Sequence, residues 1–198
     1  MNRKLALTIV LLSLVSILAA CAGQAAATGS TQAPATSPAQ PTPAVAATTT
    51  PQTQPVPPAT TAPKPAGPIK AKEITASVSN DTVSIPVKVV QDNWNNHFLV
   101  NAPSGSMGFM AYVLDNVIYV RASICPPCRG KTYTLDGNTL VCDVCATTFN
   151  AKTGIGIAGA CVNYPKASVP YTVADGNVIM KVNDLATAYQ NTLKSGLP

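Results

Sequence analysis

Residues 124–149 read ICPPCRGKTYTLDGNTLVCDVCATTF, and this stretch decides how the chain folds. Two C-x2-C pairs, Cys125/Cys128 and Cys142/Cys145, stand on either side of a short polar segment. Asp136-Gly137-Asn138, between two β-branched runs, is a hairpin turn signal. A C-x2-C turn can aim both sulfurs to one side. Two such turns on adjacent hairpins can present four thiolates to one tetrahedral centre. The same four thiols suit a two-iron cluster. Gly130 and Gly137 permit the turns between them, and Arg121, Arg129 and Lys131 lie close enough in sequence to offset the charge of four thiolates.

The N-terminus has a different character. MNRK is a positive leader, LALTIVLLSLVSIL is an apolar run too short for a convincing span, and LAAC closes it. Residues 1–20 read as a signal peptide. The LAAC segment resembles a bacterial lipobox, which implies cleavage before Cys21 and lipidation of that thiol. The expected location is outside the cytoplasm, lipid-anchored to the bacterial cell membrane. Residues 21–70 hold most of the 18 prolines, no charge before Lys64 and no apolar periodicity. They cannot bury enough surface to repay their ordering entropy and read as a disordered tether. Such a segment spans roughly 40 Å as a coil and at most about 150 Å as polyproline II. Arg3 and Lys4 fall in the segment expected to be removed, so the formal net charge of +5 overstates that of the mature chain. With no basic run elsewhere, nucleic acid is not an expected partner.

The folded domain is expected over 71–198. ITASVSNDTVSIPVKV, GFMAYVLDNVIYVRAS and VPYTVADGNVIMKV each place β-branched runs around a turn, at Asn80-Asp81, Asp115-Asn116 and Asp175-Gly176. The period then changes: Leu185, Tyr189 and Leu193 recur every four residues behind Asn183-Asp184. The expectation is an all-β fold, a small antiparallel barrel or sandwich with a two-hairpin metal-binding subdomain and one C-terminal helix.

The cysteines keep more than one reading from spacing alone. Disulfides persist in exported proteins, although Cys161 is then left over as the fifth cysteine of the domain. A dithiol redox pair wants its first thiol at a helix N-terminus, whereas Arg129-Gly130-Lys131 leads into a strand pattern. A metal or cluster is the preferred reading, with Cys125, Cys128, Cys142 and Cys145 as ligands. His97 is a candidate fifth ligand or a packed residue, and Cys161 is a candidate ligand, a reactive thiol or a small core residue. No nucleophile–base pair, substrate pocket or phosphate loop can be argued, so an enzyme is not expected.

From Ala122 to Val182 the order of motifs resembles Rieske-type domains. Thr153-Gly154, Tyr171-Thr172-Val173 and Asp175-Gly176-Asn177-Val178 fall where that layout puts them. Both histidine ligand positions are cysteine, at Cys128 and Cys145. His97 is the only histidine, so a two-histidine cluster is excluded within this chain. With His97-Phe98 upstream and Gly159-Ala160-Cys161 downstream, residues 84–183 resemble the membrane iron–sulfur-containing, Ftr-type ferredoxin-like family. The chain departs from it in Pro126-Pro127 and in Ala146, where a glycine often follows the second pair. The resemblance implies an iron–sulfur cluster, a two-iron one on this reading, and electron transfer with a membrane redox or iron-uptake partner. Thiolate in place of imidazole adds negative charge at iron and implies a potential well below that of a Rieske centre. A structural zinc site in a binding module and a metal-carrying surface lipoprotein are the alternatives.

Overall fold

The computed structural model describes residues 63–103 and 105–196. The expected signal peptide, the expected lipidation site Cys21 and the expected tether as far as residue 62 lie outside the described residues. In chain order the elements are β1 (Lys72–Glu73), β2 (Ser77–Ser79), β3 (Thr82–Pro86), α1 (Val87–Asn93), β4 (Asn95–Ala102), β5 (Gly105–Leu114) and β6 (Val117–Ala122). There follow β7 (Tyr133–Asp136), β8 (Thr139–Cys142), β9 (Thr148–Asn150), β10 (Gly156–Ala158), β11 (Thr172–Ala174), β12 (Asn177–Lys181) and α2 (Val182–Thr192). The fold is mostly β, as the turn-punctuated sequence requires.

The strands form three four-stranded sheets, in the orders β1-β4-β5-β6, β10-β9-β8-β7 and β11-β12-β3-β2. Every pairing is antiparallel except the two-residue β1–β4 contact. The turn signals fall where expected. Leu114 pairs with Val117 and Ala174 with Asn177, each across two residues with positive φ. That is the geometry of tight turns whose twist suits a hairpin. The two-hairpin unit β7–β10 is inserted between β6 and β11.

Burial explains the pattern. In β3 and β12, Val83, Ile85, Val178 and Met180 are buried and alternate with less buried neighbours, so one face packs inward. In β5 the run from Met107 to Leu114 is buried throughout, because both faces are covered. Phe98 stacks on Phe109 at 5.6 Å, and Tyr189 of α2 closes over Phe109 at 6.2 Å.

Two differences from expectation have physical causes. The β-branched composition of IPVKVV hid α1, which begins after Pro86 and buries Val87, Val90 and Gln91 on one face. The three residues recur at helical spacing, and tertiary burial overrides their strand preference. The C-terminal helix starts directly from β12 with no side-chain cap, and its buried face is Leu185, Ala188 and Thr192. Leu193 ends the helix and is exposed.

The hairpin unit is fastened to the main sheet by buried polar groups. Arg121 on β6 donates from Nε to the Tyr112 hydroxyl at 3.0 Å, from one terminal nitrogen to the Lys166 carbonyl at 2.8 Å, and from the other to the Lys152 carbonyl. The Tyr112 hydroxyl in turn donates to the Ala151 carbonyl. Asn95 donates from Nδ2 to the carbonyls of Ile69 and Tyr133, both at 2.8 Å. Ile69 also pairs with Leu135 of β7 in both directions. Asn95→Ala is expected to lower stability by about 1–3 kcal/mol, because buried carbonyls lose a donor. A lower urea midpoint at unchanged slope is the readout.

Candidate metal centre

The two C-x2-C segments adopt the same backbone turn. In the first, Arg129 N–H donates to the Cys125 carbonyl at 2.7 Å and Cys125 N–H donates to the Gly130 carbonyl at 2.8 Å. In the second, Ala146 N–H donates to the Cys142 carbonyl at 2.9 Å and Cys142 N–H donates to the Thr147 carbonyl at 2.9 Å. Each turn closes on a non-glycine residue with positive φ, 60° at Arg129 and 55° at Ala146. The loop β6–β7 carries the first turn, and the end of β8 carries the second. Tyr133 and Cys142 face each other in the β7–β8 register, which sets the turns side by side.

Two glycines make the approach feasible. A Cβ on Gly130 would stand 2.7 Å from the Cys142 sulfur and 3.3 Å from that of Cys128. Gly154, at φ +79°, would place a Cβ 2.2 Å from the Lys166 carbonyl oxygen. The Thr153-Gly154 pair is thus a point of close backbone passage, where only glycine fits.

All five cysteines of the domain are free thiols. The sulfurs of Cys125, Cys128, Cys145 and Cys161 lie within 4.8 Å of one another. Cys142 Sγ stands 3.7 Å from Cys128 Sγ, and Cys145 Sγ stands 3.7 Å from Cys161 Sγ. The compact four therefore include Cys161, while Cys142 touches the group through Cys128. A thiolate-bound ion sits ~2.3 Å from each sulfur, which sets the edge of a regular four-sulfur tetrahedron at ~3.8 Å. The two 3.7 Å spacings match that edge, and the compact four lie within 4.8 Å of one another, as soft-metal ligands would.

The electrostatics divide the thiols. Burial pushes the Cys125 and Cys142 thiols up, and neighbouring thiols add to the effect at Cys125. At Cys145 burial works against the thiolate, but hydrogen bonds with the hydroxyl and N–H of Thr147 and with the Cys128 and Cys142 sulfurs together outweigh it and bring the group down to about 6. Thr147 is fully buried, and its hydroxyl lies 3.2 Å from Cys145 Sγ while accepting the Cys161 N–H at 3.2 Å. One hydroxyl thus links the second turn to the segment carrying Cys161. Gly159 allows that segment in, since a Cβ there would stand 2.7 Å from Thr147 Oγ1.

The basic residues near in sequence do not supply the counter-charge. Arg121 is committed to carbonyl and hydroxyl oxygens, and Arg129 and Lys131 are exposed. The buried cation beside the thiols is Lys166. Burial lowers its ammonium to about 8, while Cys125, Cys142, Cys161 and Cys128 act in the opposite direction. Nothing in the local sequence marks this lysine. Thr147 was equally hidden, although its position directly after Ala146 matches that of Gly130 after Arg129.

His97 is not in the sulfur group. It lies on β4, paired with Met110, and burial lowers its pKa, so the imidazole is held neutral against the pull of Glu73. Neither ring nitrogen has a hydrogen-bond partner among the described residues, and the same holds for the Ser123 hydroxyl. Gly108 leaves room for both, since a Cβ there would stand 2.8 Å from Ser123 Oγ and 3.3 Å from His97 Nε2.

The family described as membrane iron–sulfur containing protein, FtrD-like, matches residues 90–191, and the chain belongs to it. The matched segment runs from α1 to the end of α2 and contains all five clustered cysteines. Among solved structures, a ferredoxin of Sphingomonas yanoikuyae B1 is 24% identical, with TM-score 0.34, over 37% of this chain and 74% of its own. A complex of reduced oxygenase and oxidized ferredoxin in carbazole 1,9a-dioxygenase is 22% identical, with TM-score 0.37, over 43% of this chain and 80% of its own. No curated protein matches the chain. No helix among the described residues is long and apolar enough to cross a membrane.

Two outcomes are expected at the second turn. Ala146→Gly relieves a left-handed backbone at a residue with a Cβ and raises stability by about 1 kcal/mol, read as a higher melting temperature. Thr147→Val removes the donor that favours the Cys145 thiolate. In the metal-free chain, alkylation of Cys145 rises with pH through about 6. The variant moves that rise to higher pH, because its thiolate is less favoured. Mass spectrometry of the labelled peptide against pH checks it.

Proposed function

We propose that this protein is an electron carrier tethered to the outer face of a bacterial cell membrane, not an enzyme. Its lipid anchor is Cys21, and its cargo is an iron–sulfur cluster of the two-iron type. The thiols of Cys125, Cys128, Cys142 and Cys145 hold the cluster, with Cys161 beside it as a further ligand or reserve thiol. The observation that carries the reading is the convergence of five free sulfurs, four of them on two matching turns, in a chain of the iron–sulfur family. When bound, such a cluster takes up and releases one electron. The chain's own residues hold it. The two turns fix the sulfurs, Thr147 steadies Cys145, and the buried faces of β7–β9 keep water from the inner thiols. A tether raises the effective concentration of a membrane partner without fixing orientation. That suits transfer to or from a membrane redox component, an iron-uptake permease being the partner we favour.

A second reading rests on one observation. Four sulfurs within 4.8 Å, with a 3.7 Å edge, also fit a single tetrahedral ion, and zinc would then be structural.

The chain purified without oxygen decides between them. The electron-carrier reading expects visible sulfur-to-iron bands that bleach with dithionite, and about two irons and two sulfides per chain. A colourless protein with about one zinc per chain sinks it in favour of the structural ion. Single Cys→Ser exchanges fix the ligands: loss of colour at positions 125, 128, 142 and 145, with colour kept at 161, is expected. Colour kept in Cys142→Ser and lost in Cys161→Ser would assign the compact four instead.

A further inference from the structure

Lys166 is fully buried and is among the largest side chains with no exposure. Its backbone is pinned on every side. The N–H donates to the Gly154 carbonyl at 2.8 Å, and the carbonyl accepts from Arg121 at 2.8 Å. The next residue donates its N–H to the Thr192 hydroxyl of α2 at 2.9 Å and gives its carbonyl to the Ala122 N–H at 3.0 Å. The side chain has one outlet. Nζ donates to the Ile124 carbonyl at 2.7 Å, and the rings of Phe149 and Tyr133 lie 4.5 and 5.6 Å away.

A buried ammonium is costly unless a negative charge compensates it. Among the described residues no carboxylate lies within ion-pair distance of Nζ. One carbonyl and two ring faces offset only part of the cost. The ionisable groups that raise this ammonium are cysteines of the candidate centre, Cys125, Cys142, Cys161 and Cys128, which carry full charge as metal-bound thiolates. The Ile124 carbonyl belongs to the peptide whose N–H is that of Cys125. That N–H closes the first turn on Gly130, so the ammonium also polarises the bond that shapes the turn.

We infer that Lys166 is the fixed counter-charge of the metal centre, a positioning residue that holds an anionic thiolate cluster in the interior and sets its reduction potential. The inference rests on the iron–sulfur reading. A cluster on four thiolates is anionic and becomes more so when it takes up an electron. A cation held in a low-dielectric interior therefore favours the reduced form over the oxidised one. Its rigid mounting means that the charge is already in place when the electron arrives.

The test uses the full chain, purified without oxygen, as wild type and as Lys166→Met, Lys166→Gln and Lys166→Arg. Iron, sulfide and far-ultraviolet circular dichroism are measured first, then the midpoint potential by optical titration. Met and Gln remove the charge, and Gln keeps a donor near the Ile124 carbonyl. Arg keeps the charge. The expected result is a lower midpoint in Met and Gln, with the reduction equilibrium displaced about tenfold or more, ~59 mV for a one-electron couple, and Arg close to wild type. Loss of the cluster in Met and Gln but not in Arg, with backbone spectra unchanged, supports the same role through retention of the cluster. A wild-type midpoint in loaded Met or Gln overturns the inference while leaving the iron–sulfur reading standing. Loss of the cluster in Arg as well overturns it too, because the site then depends on the shape of lysine and not on its charge. A wild-type chain without iron and sulfide takes down both.

Discussion

Five sulfur atoms share a space a few ångströms wide, and thiolates repel one another. Neutral thiols can be packed so, but soft-metal ligands must be deprotonated. Everything around the site can be understood as a way to hold sulfurs in place before any ion draws them together. The backbone does most of this. Each turn is closed by two main-chain hydrogen bonds, so its cysteines are fixed by geometry shared with the sheet and not by side-chain packing alone. The glycines then remove the atoms that would keep the two turns apart.

The hairpin unit carrying these turns is small, and four short strands make little core of their own. Its rigidity is borrowed from the main sheet. Arg121 and Tyr112 reach across from β5 and β6 to carbonyls of residues 151, 152 and 166, and Asn95 reaches the carbonyls of Ile69 and Tyr133. These are buried polar groups answering buried polar groups. Such networks specify one arrangement well, because any slip leaves several of them unsatisfied. The hairpin unit is therefore held at fixed points along its length, which a purely apolar contact would not ensure.

The parts of this architecture that the sequence makes legible are those set by neighbours along the chain. The turns at Asn80-Asp81, Asp115-Asn116 and Asp175-Gly176 announce themselves through local conformational preference. The cysteine spacing announces the two turns of the site. What is hidden depends on distant residues. Helix α1 is written in valines and is helical because Val87 and Val90 find a core to bury in. Lys166 lies 42 residues beyond Ile124 in an unremarkable loop, and only the fold brings its amine to the Ile124 carbonyl. The nearby Arg129 and Lys131, which spacing singles out, point to solvent instead. Cys161 falls into the compact four because Gly159 lets its segment pass against Thr147, and no pattern within the C-x2-C pairs foretells that.

The burial of the thiols is uneven in a regular way. In each turn the first cysteine is buried and the second is half-buried, and exposed Val144 lies between the cysteines of the second turn. The site thus has a dry side and a wet side. Water and mobile ions respond to a new charge by reorienting, and a packed interior hardly responds at all. Charge gathered toward Cys128 and Cys145 is the part that solvent can relax around, and charge gathered toward Cys125 and Cys142 is answered only by fixed groups. Covering the face that bears Val144 would therefore change the polarisability around the outer sulfurs and leave that around the inner ones almost as it was.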